Sequence, residues 1–381
     1  MKIGIDTFGC DHGQSGIGSY LSSVLNPLTS NFPDMQWTLF GHETDRYTWK
    51  YNDDVTFLGQ SIKDSVHAEK NWHVFKCPSF VKKNSFDAVL YSAGARMLPH
   101  KFNVPGIAVV NDIVSKLYTS QNDPSLKSLM KKGLARVNCI IAPSQYVKKD
   151  LEKNGFNPRR IEVIHNGINH ELFHPEDDFQ SMENENSDMV DIKPFAIKKP
   201  YFIYASSLTS AEKKHIELIK AFSLFKKRTG LPHRLVLAGA DGPYSNEVHT
   251  QAFNSSAASD IFITGYFPHE SFPELYRNAE ACVFPSVNEG IGLPVLEAMA
   301  TGLPVLCSKQ GALGELAGNN ALFFDSDNIE DIAQALEKIV ADTELRKKLS
   351  QDGISWTKRF SWEKTAEMTK NVIVQVVEGN L

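Results

Sequence analysis

Residues 280–302 read EACVFPSVNEGIGLPVLEAMATG. The opening ACVFPS is a short apolar run with β-branched and aromatic members, which predicts a buried strand. Gly290 and Gly292 follow, and glycine lets the backbone take positive φ and approach a ligand closely. Pro294 suits the first turn of a helix, and Gly302 suits its stop. The free N–H groups near residues 292–295 then point, with the helix dipole, at the carboxyl end of a strand. Ligands bind there in open α/β sheets, and phosphate is the group such a terminus takes. Glu297 lies about one turn into the helix, within reach of ribose hydroxyls. Glu289 lies on the other side of the glycines, where a group attached beyond the phosphates would sit. The spacing suits a nucleotide with a hydroxyl-rich substituent. It suits equally a helix start whose acids are placed for the dipole.

The rest of the chain repeats this strand-and-helix grammar. KIGIDTF, WTLFGH, FDAVLYSA, GIAVVND and CIIAPS predict buried strands in the first half. YFIYASS, HRLVLAG, DIFITGY, LPVLCS and ALFFD join EACVFPS in the second. Helical periodicity lies between them: Leu126, Leu129, Met130, Leu134 and Val137 fall on one face of SLKSLMKKGLARV. HIELIKAFSLFKK and IEDIAQALEKIV are further helices. Such alternation predicts parallel sheets covered by helices, an α/β fold. The pattern breaks at PEDDFQSMENENSDMVDIKP, which is acidic and poor in aliphatics and reads as a linker or exposed loop. The expected organisation is a doubly wound domain over 1–172, an acidic linker over 173–194, a second doubly wound domain over 195–358, and a terminal helix over 359–381.

The 381 residues suit two domains. A hydrophobic content of 42% with 22% charged residues is ordinary for a globular protein, and the net charge of −5 offers no basic field for nucleic acid. Cys10, Cys77, Cys139, Cys282 and Cys307 have no CxxC spacing and mostly sit in apolar runs, as reduced core residues do. The N-terminal apolar run is too short for a signal peptide, and no stretch is long enough to span a bilayer, so the expectation is a cytoplasmic protein. The lysines of FKCPSFVKKNSF and LMKKGLAR fit a solvated face, and also peripheral contact with the inner membrane face or a lipid-linked acceptor.

EGIGLPVLEAMATGLPV resembles the nucleotide-sugar signature of the family-four (group 1) retaining glycosyltransferases of GT-B fold, a glutamate followed eight positions later by a second. SGIGSYLSSVL resembles that family's first glycine-rich loop and helix. IIAPSQYVKKDLEKNGFNPRRIEVIHNGINHELFHP resembles the end of its N-terminal domain. The resemblance covers nearly the whole chain apart from the linker. It implies two Rossmann-like domains facing a cleft, the first for the acceptor and the second for the nucleotide sugar, with the terminal helix packing back on the first. It implies that Glu289 contacts the transferred sugar, that Gly290, Ile291 and Gly292 offer backbone N–H groups to sugar and phosphate, and that Leu293 and Pro294 start the helix at the diphosphate. Glu297 matches the ribose-binding acid, and Gly16 and Gly18 match the N-terminal loop. Lys214 matches the lysine that neutralises the leaving diphosphate, with no metal or other cofactor. The implied activity is retaining hexosyl transfer from a nucleoside diphosphate sugar, GDP-mannose by general likeness, to a saccharide or lipid-linked saccharide in cell-surface polysaccharide or glycoconjugate synthesis.

Two positions depart from the family pattern. The arginine expected shortly before the lysine is absent; Ser206 and Ser207 occupy that region, Ser207 is kept as a donor contact, and Lys213 is placed to share the work of Lys214. A histidine before the aspartate of VVND is replaced by Asn111, which can bond a sugar hydroxyl but cannot act as a base, and Asn111 is kept among the catalytic residues as a contact to the donor sugar. Asp112 fits a turn cap as well as a ligand contact. These departures make a noncatalytic sugar-nucleotide-binding subunit the alternative reading. GQSGIG with Glu43 imitates a dinucleotide motif, but its glycines come late and in the wrong order. Asp325 and Asp327 imitate a metal-binding Asp-x-Asp pair, yet they end a strand before a helix, where loop and capping roles are expected. Cys10, Asp11 and His12 look like ligands without a second group at metal spacing. His165 in VIHNGI reads as structural or as a residue of the cleft rim, while Asn166 and Gly167 match a turn that the family turns towards its cleft.

Overall fold

The computed structural model describes residues 1–49, 55–175, 189–192 and 195–381. The apolar runs become strands whose residues are buried on both faces. In the first unit these are β1 Lys2–Asp6, β2 Gln36–His42, β3 Thr56–Gln60, β4 Ala88–Tyr91, β5 Gly106–Val109, β6 Cys139–Ala142 and β7 Ile161–Val163. They form a parallel sheet in the order β3-β2-β1-β4-β5-β6-β7. Pleating sends alternate residues to opposite faces. Ile3, Ile5, Leu39 and Leu90 join one core with Leu21, Val24 and Leu25. Phe40, Val89, Tyr91 and Ala108 join the other with Trp72, Leu134 and Leu151. A sheet covered on both sides needs apolar residues at every position, which is why the runs show no alternation.

The chain divides into two compact units, Met1–Gly167 with Phe360–Leu381, and Ile168–Arg359. The terminal helix Trp362–Val377 belongs to the first unit, where Ala366, Val372, Ile373 and Val376 enter the core beside helix Gly16–Ser30. The buried valines and isoleucine contribute about 1.5–3 kcal/mol each. Thr365 Oγ1 donates to the His165 carbonyl at 2.8 Å, and the Phe360 ring meets the His165 ring edge-on. Gly167 lies against the same helix; a Cβ there would sit 2.2 Å from Trp362 N. Close packing against the helix backbone is thus sufficient reason for that glycine.

The second unit carries a hairpin, β8 Met189–Ile192 with β9 Phe195–Lys198. Its main sheet comprises β10 Tyr201–Ala205, β11 Arg234–Ala238, β12 Ile261–Gly265, β13 Ala281–Phe284, β14 Val305–Ser308 and β15 Leu322–Phe324. The order is β12-β11-β10-β13-β14-β15, all parallel. Most of the acidic segment expected as a linker, 176–188 and 193–194, lies outside the described residues. All five cysteines are buried and unpaired. Among the described residues no helix is long and apolar enough to cross a membrane.

Candidate active site

In each sheet the strand order reverses at one point, and the connections there leave in opposite directions from the carboxyl ends of two neighbouring strands. Ligands bind at such a switch point. In the second unit it falls between β10 and β13, the strands followed by residues 206–214 and 285–292.

Two sets of hydrogen bonds fasten those loops together. The Glu212 carbonyl accepts from Val287 N at 3.0 Å, and its side chain accepts from Asn288 Nδ2 at 3.0 Å. The Lys213 carbonyl accepts from the buried Tyr204 hydroxyl at 2.8 Å. Lys213 Nζ then meets Glu289 Oε1 at 2.6 Å, with only 22% and 14% of the two side chains exposed. From the far side, Glu289 O accepts from Ala312 N at 2.8 Å. Gly311, at φ 65°, fits closely there, because a Cβ would lie 2.7 Å from Glu289 O. The loop after β14 therefore fixes the Glu289 backbone while Lys213 holds its carboxylate.

Lys214 goes elsewhere. Its Nζ contacts Asp327 Oδ1 at 2.6 Å and Glu217 Oε1 at 3.3 Å. Its backbone is left-handed, φ 58°, at the N-cap of helix His215–Thr229. A non-glycine residue there costs about 1–2 kcal/mol. The expectation that Lys214 leads at the donor and Lys213 assists is thus reversed in geometry, since the left-handed residue turns the chain and sends the two side chains to different partners. The same contact uses Asp327, whose backbone N–H donates to Asp325 Oδ1 at 3.0 Å while Asn328 caps the following helix. The Asp-x-Asp pair forms a turn.

Gly292, at φ 72°, caps helix Leu293–Ala300, with Pro294 in its first turn. A Cβ on Gly292 would approach Leu313 Cδ2 to 2.7 Å. Gly290, Ile291 and Leu293 complete the turn and are half-buried. Glu297 is buried on this helix and accepts from His269 Nε2 at 2.9 Å. That hydrogen bond holds the His269 imidazole above its usual pKa. Ser207 sits on the β10 loop, where its carbonyl accepts from Thr209 N at 3.0 Å. His215, fully buried behind the site, is pushed down to about 4 by burial and stays neutral at physiological pH.

Gly16, Gly18 and Asn111 belong to the first unit. Ser15 caps helix Gly16–Ser30 by accepting from Gly18 N at 3.2 Å. Gly18 has a packing reason, since a Cβ would lie 2.5 Å from the Cys10 carbonyl, whereas a Cβ on Gly16 would meet nothing. Asn111 Nδ2 is buried and finds no hydrogen-bond partner among the described residues. Asp112 is engaged by Arg96 at 3.1 and 3.3 Å rather than capping a turn. Near this unit's own switch point, between β1 and β4, lies a cavity of about 590 Å³ lined by Thr7, Gly9, His12, Arg96 and Met97 among others. Glu43, the acid of the apparent dinucleotide motif, is held by Arg46 at 2.7 Å.

Sequence reasoning missed three contributors: Glu212, His269 and the Gly311–Ala312 turn. Gly311 lies in SKQGALGEL and carries a readable signal as an isolated glycine after a strand. Glu212 and His269 carry none, because only tertiary contacts bring them to the site.

Residues 187–356 match the family described as glycosyl transferases group 1, and residues 62–172 match glycosyltransferase family 4. The chain belongs to the group 1 glycosyltransferases. It is 32% identical over 164 residues to the O-antigen chain mannosyltransferase B of Escherichia coli, a match covering 43% of each chain. A serotype-specific mannosyltransferase of Escherichia coli is 26% identical over 288 residues, covering 73% of this chain and 34% of that one. The matches thus span less than half the length of either relative. Among solved structures, sucrose-phosphate synthase from Thermosynechococcus elongatus superposes with a TM-score of 0.76 over 100% of both chains at 18% identity. The Anabaena protein HepE in complex with UDP-glucose gives 0.71 over 98% of this chain and 100% of that one, also at 18% identity. The two parallel-sheet units make this group 1 glycosyltransferase a GT-B protein with Rossmann-like halves.

Proposed function

We propose that the protein is a retaining glycosyltransferase that binds a nucleoside diphosphate sugar on the Ile168–Arg359 unit and a saccharide or lipid-linked saccharide on the other. The Lys213–Glu289 pair beside the N-terminus of helix Leu293–Ala300 carries the reading. A diphosphate leaving group gains charge as the glycosidic bond breaks, and a fixed ammonium with oriented N–H groups stabilises that charge in a site shielded from water. Lys213, rather than Lys214, has this role. Glu289 holds the sugar hydroxyls and the positive charge that grows on the ring. Glu297, with His269 behind it, grips the ribose. The site as read uses a lysine and a helix terminus for the diphosphate and needs no metal there. Attack comes from the face that the phosphate leaves, so configuration at the anomeric carbon is kept.

The mannosyltransferase relatives favour GDP-mannose as donor. The product belongs to polysaccharide or glycoconjugate synthesis, as the O-antigen relative suggests. The cavity of the first unit, with the unpartnered amide of Asn111 in the same unit, is the place proposed for the acceptor. The test is donor turnover by the purified protein. GDP-mannose and UDP-glucose are supplied with and without saccharide acceptors, and the anomeric configuration of the product is read by NMR. Slow hydrolysis of one donor and an axial product from an axial donor support the reading. Tight nucleotide binding without turnover of any donor would instead favour a noncatalytic binding subunit.

A further inference from the structure

We propose that the first unit holds a divalent transition-metal ion, of the zinc class, between His42, Asp64 and Glu69, with His12 as the fourth ligand. One nitrogen or carboxylate oxygen from each of His42, Asp64 and Glu69 lies within 4.8 Å of the others. His42 Nε2 is 2.8 Å from Glu69 Oε1 and 3.9 Å from Asp64 Oδ1, and His12 Nε2 is 3.1 Å from Asp64 Oδ2. Zinc bonds of about 2.0–2.2 Å place neighbouring ligand atoms roughly 3.3–3.6 Å apart around a tetrahedron. The measured separations bracket that span; His12 lies outside the cluster of three and swings in from the Asp64 side to complete the shell.

The hydrogen-bond chemistry points the same way. His12 Nδ1 faces Asp45 Oδ1 at 2.5 Å. With its proton on Nδ1 towards Asp45, the His12 ring turns its Nε2 lone pair to the Asp64 carboxylate, and a bound cation would take the place that a second imidazole proton fills in the metal-free chain. Asp45 is then the carboxylate that orients a metal-bound histidine. The ligands are also braced. Glu69 sits on helix Val66–Phe75, which is tied to β1 through His73, whose ring nitrogens contact the Glu69 carbonyl and Asp6 Oδ2, each at 2.8 Å. The Phe8 ring meets His42 edge-on at 4.9 Å. The His42 and Glu69 side chains are buried, whereas Asp64 is 68% exposed and gives the ion a path from solvent. All five residues line the cavity of this unit, together with Asp11. Among the described residues lining it, the one guanidinium, Arg96, is engaged by Asp11 and Asp112. The local field therefore attracts a cation. Two imidazoles among the ligands favour zinc over magnesium, which prefers an all-oxygen shell.

The test uses the full chain, stripped with EDTA and dialysed, and titrated calorimetrically with ZnCl₂ and with MgCl₂. One zinc per chain is expected, bound at least about 100-fold more tightly than magnesium. Glu69→Gln and Asp64→Ala should each weaken zinc about 100-fold, and Asp45→Asn about 10- to 100-fold. Asp64 is exposed, so its variant leaves the fold intact even if Glu69→Gln does not. Less than one zinc per chain, or affinity unchanged within twofold in both Asp64→Ala and Asp45→Asn, would overturn the site. Neither donor nor acceptor enters the measurement, so its result is separate from that of the transfer reading.

Discussion

Two adjacent lysines with opposite fates give the sharpest test of the donor site. Lys213 is paired with Glu289 at 2.6 Å in a half-closed setting; Lys214 is paired with the largely exposed Asp327. In Lys213→Ala, the diphosphate loses its fixed cation, which costs on the order of 10²-fold in kcat, or about 2.7 kcal/mol of barrier. The carboxylate of Glu289 also loses its partner, which costs about 1–3 kcal/mol of folding stability and roughly 2–10 °C in Tm for a unit of this size. Lys214→Gly removes an ion pair whose acid, Asp327, is largely exposed, worth about 0.2–1 kcal/mol, and relieves a left-handed residue at φ 58° that costs about 1–2 kcal/mol. These nearly cancel, so its stability should lie within about 1 kcal/mol of the parent and its kcat within about threefold. The assay is steady-state donor turnover with thermal unfolding of both variants. If Lys214→Gly loses as much kcat as Lys213→Ala, the assignment of the two side chains is wrong.

Other consequences can be checked independently. Glu297→Gln should mainly raise donor KM, by roughly ten- to a hundredfold, because the ribose does not change during reaction; Glu289→Gln should lower kcat while nucleoside diphosphate still binds in calorimetry. Gly292→Ala combines a left-handed φ with a 2.7 Å approach to Leu313 and should destabilise the second unit by about 1–3 kcal/mol in urea unfolding, with weakened donor binding. His215 is held neutral down to about pH 4 in the folded chain, while the unfolded chain takes up that proton near pH 6.5. Its contribution to stability is therefore intact above pH 6.5 and lost as pH falls towards 4, by up to about 1.4 kcal/mol per pH unit, a slope that His215→Gln should reduce in denaturant titrations. Nucleoside diphosphate binding should be unchanged by EDTA; loss with chelator and recovery with Mg²⁺ or Mn²⁺ would show a metal in the donor site.

By itself the sequence determined the layers of this protein and the donor motif. All six strands expected in the second unit form, because a sheet buried on both faces demands continuous apolar runs that have few other uses. Gly292 and Pro294 were legible for the same kind of reason: positive φ and a free first helical turn are local requirements that few residues meet. β3 and β7 went unread, β3 because Thr56, Gly59 and Gln60 leave only two apolar residues in its run, and β7 because it is three residues long with Glu162 at its centre. What only the tertiary structure decided is where side chains of ordinary type point. Lys213 and Lys214 are the same residue in adjacent positions, and a single left-handed φ sends one to Glu289 and the other to Asp327. His12 reads as a loop residue until β2 carries the His42 ring near it and the loop before helix Val66–Phe75 brings Asp64, while Glu69 on that helix meets His42. Local pattern records the conformations a backbone must adopt. It does not record which distant charges meet, because that depends on chain topology, which no short stretch encodes.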